Sequence, residues 1–164
     1  MNRKTEVGSC KIVGLRVRPN SDLLSEIKRL AKENKIECGI VLSLVGSLRK
    51  GRLRIVFDPN KQYLVYNETT GERMEHWRVY NVADIEGPLE IVCSEGTISS
   101  DSGAHIHVVL SDGKMLYAGH LIEGNLVYTT VELFIGVLPD VISQRIFDPT
   151  TGHKELVLKA KGLS

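Results

Sequence analysis

Three of the five histidines lie within sixteen residues, on two apolar runs joined by Asp112-Gly113. An Asp-Gly pair between alternating apolar segments predicts a β-hairpin with a two-residue type I′ turn. With this turn, His105 faces His120 across the hairpin. His107 then faces Ala118, whose small side chain leaves room for the rings. The pattern therefore places three imidazoles on two paired strands.

These three imidazoles are expected to converge on one face of the hairpin. Side chains alternate along a strand with a period of two, so His105 and His107 share a face, and directly opposed residues such as His105 and His120 share one as well. Rings on such stems can reach a common ion at about 2.0–2.1 Å from each nitrogen. Three neutral nitrogens with an open fourth position suit zinc better than calcium or magnesium, which prefer oxygen ligands. The fourth ligand would be water or a small molecule.

The alternative is that His105, His107 and His120 are ordinary histidines of a sheet surface or an interface, as an isolated H-x-H pair usually is. The third histidine, placed opposite the first, favours metal binding over that interpretation. His76 and His153 have no comparable partners, so we expect them to be solvated.

Glu132 is the carboxylate that could support such a centre, because it interrupts an apolar strand. If residues 123–125 form a three-residue loop, Tyr128 pairs with His120 and Glu132 lies on the histidine face. If Gly124-Asn125 alone turns the chain, Glu132 faces away. Its role would be to orient a histidine or to act as a base toward metal-bound water. The alternative is a glutamate paired with an arginine or placed at a subunit interface.

One dense basic cluster runs from Arg49 to Arg54. It could contact phosphate, but on an alternating strand Arg52 and Arg54 would form the solvated face opposite Leu53. The formal net charge of +1 also provides no overall positive field for nucleic acid. Specific DNA binding is therefore not expected.

Hydrophobic periodicity predicts one helix and many short strands. The helix would be capped by Asn20 or Ser21 and end near Asn34. The stretch 67–86 is polar and weakly patterned, which predicts a long loop anchored by Trp77. Strands are predicted at Lys11–Arg18, Gly39–Val45 (ended by Gly46-Ser47), Arg52–Phe57, Gln62–Tyr66, Leu89–Glu95, His105–Leu110, Lys114–His120 and Leu126–Val137, with a final hairpin over 144–158.

These elements indicate an α/β fold of the α+β type, a predominantly antiparallel β-sheet with the N-terminal helix packed on it. A length of 164 residues with 42% hydrophobic and 25% charged residues predicts one domain, 1–164, with its core over 11–137. The three cysteines lie far apart without a C-x-x-C pair, which argues against a disulfide framework or a thiolate zinc site. There is no apolar signal sequence and no run long enough to span a membrane, so we expect a cytoplasmic protein.

Several motifs together resemble the plant and prokaryote conserved (PPC) domain, in the stand-alone prokaryotic form. They cover roughly residues 11–137 and comprise the H-x-H pair followed by Gly119-His120-Leu121, the segment Thr129-Thr130-Val131-Glu132, the turn Gly46-Ser47, the segment Gly87-Pro88-Leu89-Glu90-Ile91-Val92, and Gly96-Thr97-Ile98-Ser99. The resemblance implies an α/β domain with an antiparallel sheet, a homotrimer, and a metal bound by the three histidines.

Plant proteins with this domain join it to AT-hooks, whose Arg-Gly-Arg-Pro core enters the minor groove. In this chain Lys50-Gly51-Arg52-Leu53 has leucine in place of the proline, and Gly87-Pro88-Leu89 replaces the family's G-R-F.

Three functions are compatible with the sequence. The first is a homotrimeric zinc-binding domain with a small-molecule or enzymatic role whose activity the residues do not specify. The second is a module that binds DNA or a regulatory protein, with a structural metal. The third is a structural trimer whose histidines bind nothing. A fourth metal position open to solvent would separate the first from the second.

Overall fold

The computed structural model describes residues 9–56, 63–66, 73–76, 80–100, 103–150 and 153–162. These residues form one helix and ten strands. In chain order they are β1 Lys11–Val17, α1 Leu23–Glu33, β2 Cys38–Val56, β3 Tyr63–Tyr66, β4 Arg73–His76, β5 Tyr80–Ser99, β6 Gly103–Ser111, β7 Leu116–Leu121, β8 Leu126–Val137, β9 Val141–Asp148 and β10 His153–Ala160.

Helix α1 forms where the 3.6-residue apolar period predicts it. Its buried stripe consists of Leu23, Leu24, Ile27, Leu30 and Ala31. The cap is Asp22 rather than the predicted Asn20 or Ser21, because its Oδ1 accepts the backbone N–H of Ser25 at 2.8 Å. The helix ends before Asn34. It is too short to cross a bilayer, and the described part of the chain contains no other helix.

Six strands form the main sheet in the order β1-β8-β2-β5-β6-β7, and every neighbouring pair is antiparallel. The last strand, β7, also pairs with β2 through Leu53–Leu121 and Arg54–His120, so the sheet curls back on itself at this end. The predicted fold class, an antiparallel sheet with one N-terminal helix, is confirmed.

The core lies between α1 and one face of this sheet. Leu48, Leu53, Ile98, Ile106, Leu110, Leu133 and Ile135 are all fully buried there. Side chains alternate along each strand, so the residues between these buried ones point to the opposite face of the sheet. No helix among the described residues covers that face. The histidines lie on that second face.

Two strands are longer than the sequence indicates. Gly46-Ser47 was expected to end a strand, but β2 continues through it with a local change of register. A Cβ on Gly46, whose φ is +147°, would lie 2.1 Å from the Thr130 carbonyl oxygen, so glycine lets β2 pass close to β8.

The prediction of a loop over 67–86 is also wrong. Arg73–His76 is β4, and β5 already begins at Tyr80. The first half of β5 pairs with the second half of β2, for example Asp84 with Arg52. This strand is held by long-range pairing, and its own polar sequence shows little alternation. The predicted anchor Trp77 lies outside the described residues.

Strands β9 and β10 form an antiparallel hairpin against one end of the main sheet. The hydroxyl of Ser143 donates to the carbonyl oxygens of Glu37 at 2.9 Å and Ile98 at 3.1 Å, and Ser143 is buried. The Ser100 N–H donates back to the Ser143 carbonyl at 3.0 Å. These bonds fix the hairpin beside the end of β5, which pairs with β6, the strand of His105 and His107.

Candidate metal centre

The turn between β6 and β7 differs from the predicted one. Asp112 and its neighbours form a longer loop, in which Asp112 Oδ1 accepts the backbone N–H groups of Lys114 at 2.8 Å and Met115 at 2.7 Å. Ser111 therefore faces Leu116 rather than Lys114. The side-chain bonds of the aspartate favour this wider turn over the two-residue type I′ turn.

The register of the hairpin is consequently shifted by two residues. His107 faces His120, and Ala118 faces Val109. The predicted pairs His105–His120 and His107–Ala118 are wrong. Because the side-chain period of a strand is two, a shift of two residues leaves each side chain on its predicted face.

The three imidazoles therefore do converge. Ring centroids are 4.8 Å apart for His105 and His120, 5.2 Å for His105 and His107, and 5.4 Å for His107 and His120. One potential ligand nitrogen from each ring lies within 4.8 Å of the others. Among the described residues this is the one group of three or more histidine, cysteine or carboxylate side chains arranged so that it could hold a metal ion.

The spacing of the nitrogens fits a tetrahedral ion. Two nitrogens bound to zinc at about 2.0–2.1 Å stand about 3.3 Å apart in a tetrahedral site. The Nε2 atoms of His105 and His107 are 3.2 Å apart. The ligand atom of His120 lies within 4.8 Å of those of the other two rings.

His120 also carries a buried nitrogen that needs a partner. Its Nδ1 is buried, and no hydrogen-bond partner for it is found in the described part of the chain. A buried polar atom without a partner is costly. A cation bound at Nδ1 would satisfy this atom, so the residues present fit a metal.

The close approach of β7 to β2 explains why the residue before His120 is a glycine. A Cβ on Gly119 would lie 2.9 Å from the carbonyl oxygen of Arg54 and 2.9 Å from Cγ2 of Ile55. Glycine thus permits β7 to approach β2 closely at this point. That approach brings His120 into the curled end of the sheet.

The electrostatic environment favours the neutral form of two rings. Burial lowers the pKa of His120 to about 4, and the positive charge of Arg54 contributes to this shift. Burial, followed by the charge of Arg145, also lowers the pKa of His105. Both rings are therefore neutral at pH 7, which is the form that binds metals.

Three charged residues beside the histidines were not singled out from the sequence as neighbours of the site. Arg54 faces His120 across the β2–β7 pairing, and Glu95 faces His107 across β5–β6. Arg145 of β9 donates from Nη2 to the Thr97 hydroxyl at 3.1 Å. Long-range pairing brings all three to the site, and no local pattern reveals it.

Glu132 lies elsewhere. Strand β8 pairs with β1 and β2 rather than with β7, so both loop alternatives for 123–125 and the pairing of Tyr128 with His120 are wrong. Glu132 is exposed, facing Arg16 on one side and Val45 on the other. It does not belong to the group of clustered ligand atoms.

The remaining histidines stand on other strands. His76 ends β4 and His153 begins β10, where it faces Asp148. Within the described residues, His153 is not part of the clustered group.

The basic cluster is largely engaged within the protein. Lys50 Nζ and Arg52 Nε lie 3.3 Å and 3.7 Å from Oδ1 of Asp84. Arg49 donates to Oδ1 of Asn20 at 2.6 Å. Arg52 is exposed beside the fully buried Leu53, in agreement with a solvated strand face.

Comparison with known proteins gives a consistent assignment. The chain is 35% identical over 150 residues to a protein called Bifunctional protein GlmU from Synechococcus sp. (strain JA-2-3B'a(2-13)); the match covers 91% of this chain but spans only 20% of that protein. A crystal structure described as a metal-containing protein from Archaeoglobus fulgidus superposes with a TM-score of 0.70 at 26% identity, covering 96% of this chain and 99% of that one. A plant- and prokaryote-conserved (PPC) protein of Pyrococcus horikoshii superposes with a TM-score of 0.69 at 24% identity, covering 97% and 99%.

The sequence motifs that carry the PPC resemblance and the observed antiparallel fold agree with a family-wide sequence profile. Residues 4–139 match the profile described as the Plants and Prokaryotes Conserved (PCC) domain, the family abbreviated here as PPC. The chain belongs to the Plants and Prokaryotes Conserved domain family.

Proposed function

We propose that this protein is a homotrimeric metal-binding domain in which His105, His107 and His120 of one chain hold a zinc ion. The observation that carries the proposal is the convergence of three ligand nitrogens within 4.8 Å, on rings of which two are held neutral. The buried Nδ1 of His120, which lacks a partner in the described chain, supports it. The description of the Archaeoglobus fulgidus relative as metal-containing supports it as well.

Zinc is the favoured ion because the donor set contains nitrogen alone. Calcium and magnesium prefer oxygen ligands, whereas zinc commonly takes three protein ligands and leaves a fourth position for water or substrate. An ion held in this way supplies Lewis acidity, which can polarise a bound group or lower the pKa of water. The chain's own contribution is to keep the imidazoles of His105 and His120 neutral and to bring the three rings together.

The homotrimer is supported by an exposed apolar face on the main sheet. One row of facing residues crosses five strands of this sheet and consists of Ile12, Gly136, Ile40, Thr97 and His105. The larger apolar side chains of this face are Ile12, Ile40, Leu42, Val45 and Phe134, which are 43–67% exposed. A group of exposed apolar side chains on one sheet face is typical of a protein interface. We propose that neighbouring subunits cover it, as the family resemblance implies.

The metal site is tested by elemental analysis of protein purified without a metal-affinity column. We expect close to one zinc per subunit. Alanine at His105, His107 or His120 should reduce the metal content severely, because two imidazoles leave the ion with half of a tetrahedral shell. His153→Ala is the matched control and should retain it. Full metal content in His120→Ala would contradict the proposal.

A further inference from the structure

The surroundings of the three histidines are rich in guanidinium groups. Arg54 is the direct cross-strand neighbour of His120. Arg145 reaches the same face from the C-terminal hairpin, since its Nη2 donates at 3.1 Å to Thr97, which faces His105. Two arginines from distant parts of the chain therefore flank the two more enclosed rings of the cluster.

Two carboxylates also lie near the rings. Glu95 faces His107, and the charge of Glu155 acts on His105. Of these four charged residues, Arg54 is the one that lies directly opposite His120 in the sheet.

A divalent ion would add positive charge beside these two arginines. All three protein ligands are neutral, so no ligand charge compensates the ion, in contrast to sites that include thiolates or carboxylates. The planar fork of an arginine matches the oxygens of a carboxylate or phosphate group. An anionic oxygen on the ion would thus find donors on both sides.

We propose that the open position of the metal takes an oxyanion, through a carboxylate or phosphate oxygen, and that Arg54 and Arg145 bind its remaining oxygens. This inference rests on the proposed metal site and names the class of ligand for it. Arg54 and Arg145 are then the residues that determine the preference for anions, while the histidines determine metal binding.

The test uses the 164-residue chain loaded with cobalt(II), an ion whose visible absorption reports changes in its ligands. The protein is titrated with inorganic phosphate and, in a separate arm, with acetate, at pH 7 and low ionic strength. We expect a saturable spectral change in at least one arm, and the arm with the tighter binding identifies the ligand as phosphate or carboxylate. Raising the salt concentration should weaken the binding.

Substitution of the arginines separates the two roles. Arg54→Gln and Arg145→Gln should each weaken anion binding by about 5-fold, the effect of losing one partly exposed ion pair, without changing the cobalt content. Arg52→Gln is the matched control, because it also removes a guanidinium from β2. The guanidinium of Arg52 already pairs with Asp84. Arg54 is exposed, so its variant should fold and decide the test by itself.

The possible failures are distinguishable. A wild-type protein that binds no cobalt would refute the metal site. If the visible spectrum of the cobalt-loaded protein does not change with either anion, the oxyanion inference alone is overturned. The same holds if Arg54→Gln binds the anions as tightly as the wild type.

Discussion

Asp22 accepts the backbone N–H of Gly124 through Oδ2 at 2.6 Å, although the two residues lie 102 positions apart. The other oxygen of the same carboxylate caps α1 through Ser25. One side chain thus joins the start of the helix to the connection that follows β7, the strand of His120. This carboxylate therefore fixes the helix to the β7–β8 connection.

Asp22→Ala should therefore destabilise the protein by more than the loss of a helix cap alone. We expect a loss of about 2–3 kcal/mol in the free energy of unfolding, from a cap of about 1 kcal/mol and a second charge-assisted bond. Chemical denaturation measures it. Ser25→Ala is the control, because Ser25 contributes its backbone N–H and should change stability little. A loss of only about 1 kcal/mol in Asp22→Ala, the value of the cap alone, would show that the bond to Gly124 contributes nothing.

Acid should destabilise the metal-free protein through His120. Its pKa is about 4 in the folded chain and 6.5 ordinarily, so between these values the unfolded chain binds a proton that the folded chain does not. Stability contributed by the neutral ring is present above pH 6.5 and is lost as the pH falls toward 4. The same protonation should release bound metal.

The measurement is thermal unfolding of metal-free protein at pH 7 and pH 5. His120→Gln, which cannot titrate, should lose less stability between these values than the wild type. An identical loss in both proteins would contradict the lowered pKa of His120.

A charge on the exposed apolar face should prevent assembly. Leu42→Asp should convert the proposed trimer to monomer, because it buries a carboxylate among apolar side chains at the interface. Met115→Asp in the β6–β7 turn is the control, since Met115 is 59% exposed and Leu42 54%. Light scattering at micromolar concentration gives the mass. A monomeric wild-type protein would refute the trimer.

Duplex DNA rich in A·T pairs should bind weakly and without sequence preference at physiological salt. The formal net charge is +1, and Lys50 and Arg52 already pair with Asp84. Fluorescence anisotropy at several salt concentrations checks this. Tight binding that strengthens at low salt, and that Arg52→Ala combined with Arg54→Ala removes, would show that the basic cluster is a DNA site.

The sequence was sufficient to predict the helix, most strands and the face that carries the histidines. Those inferences depend on local periodicity, which survives an error of two residues in the register of β6 and β7. The sequence was not sufficient to place Glu132. Long-range packing decides whether β8 pairs with β7 or with β2. For the same reason, the sequence alone does not indicate that Arg54 and Arg145 lie at the site. Their partners, His120 and Thr97, are distant in the chain.

The position of Arg145 also suggests how such a centre could diversify in evolution. The three histidines lie inside residues 4–139, which match the family profile, whereas Arg145 comes from the hairpin Val141–Ala160 outside that match. Substitution of Arg145 would change the charge beside the proposed metal site while leaving its three histidines in place. Selection for a new ligand could act on this one position without altering the strands that carry the histidines.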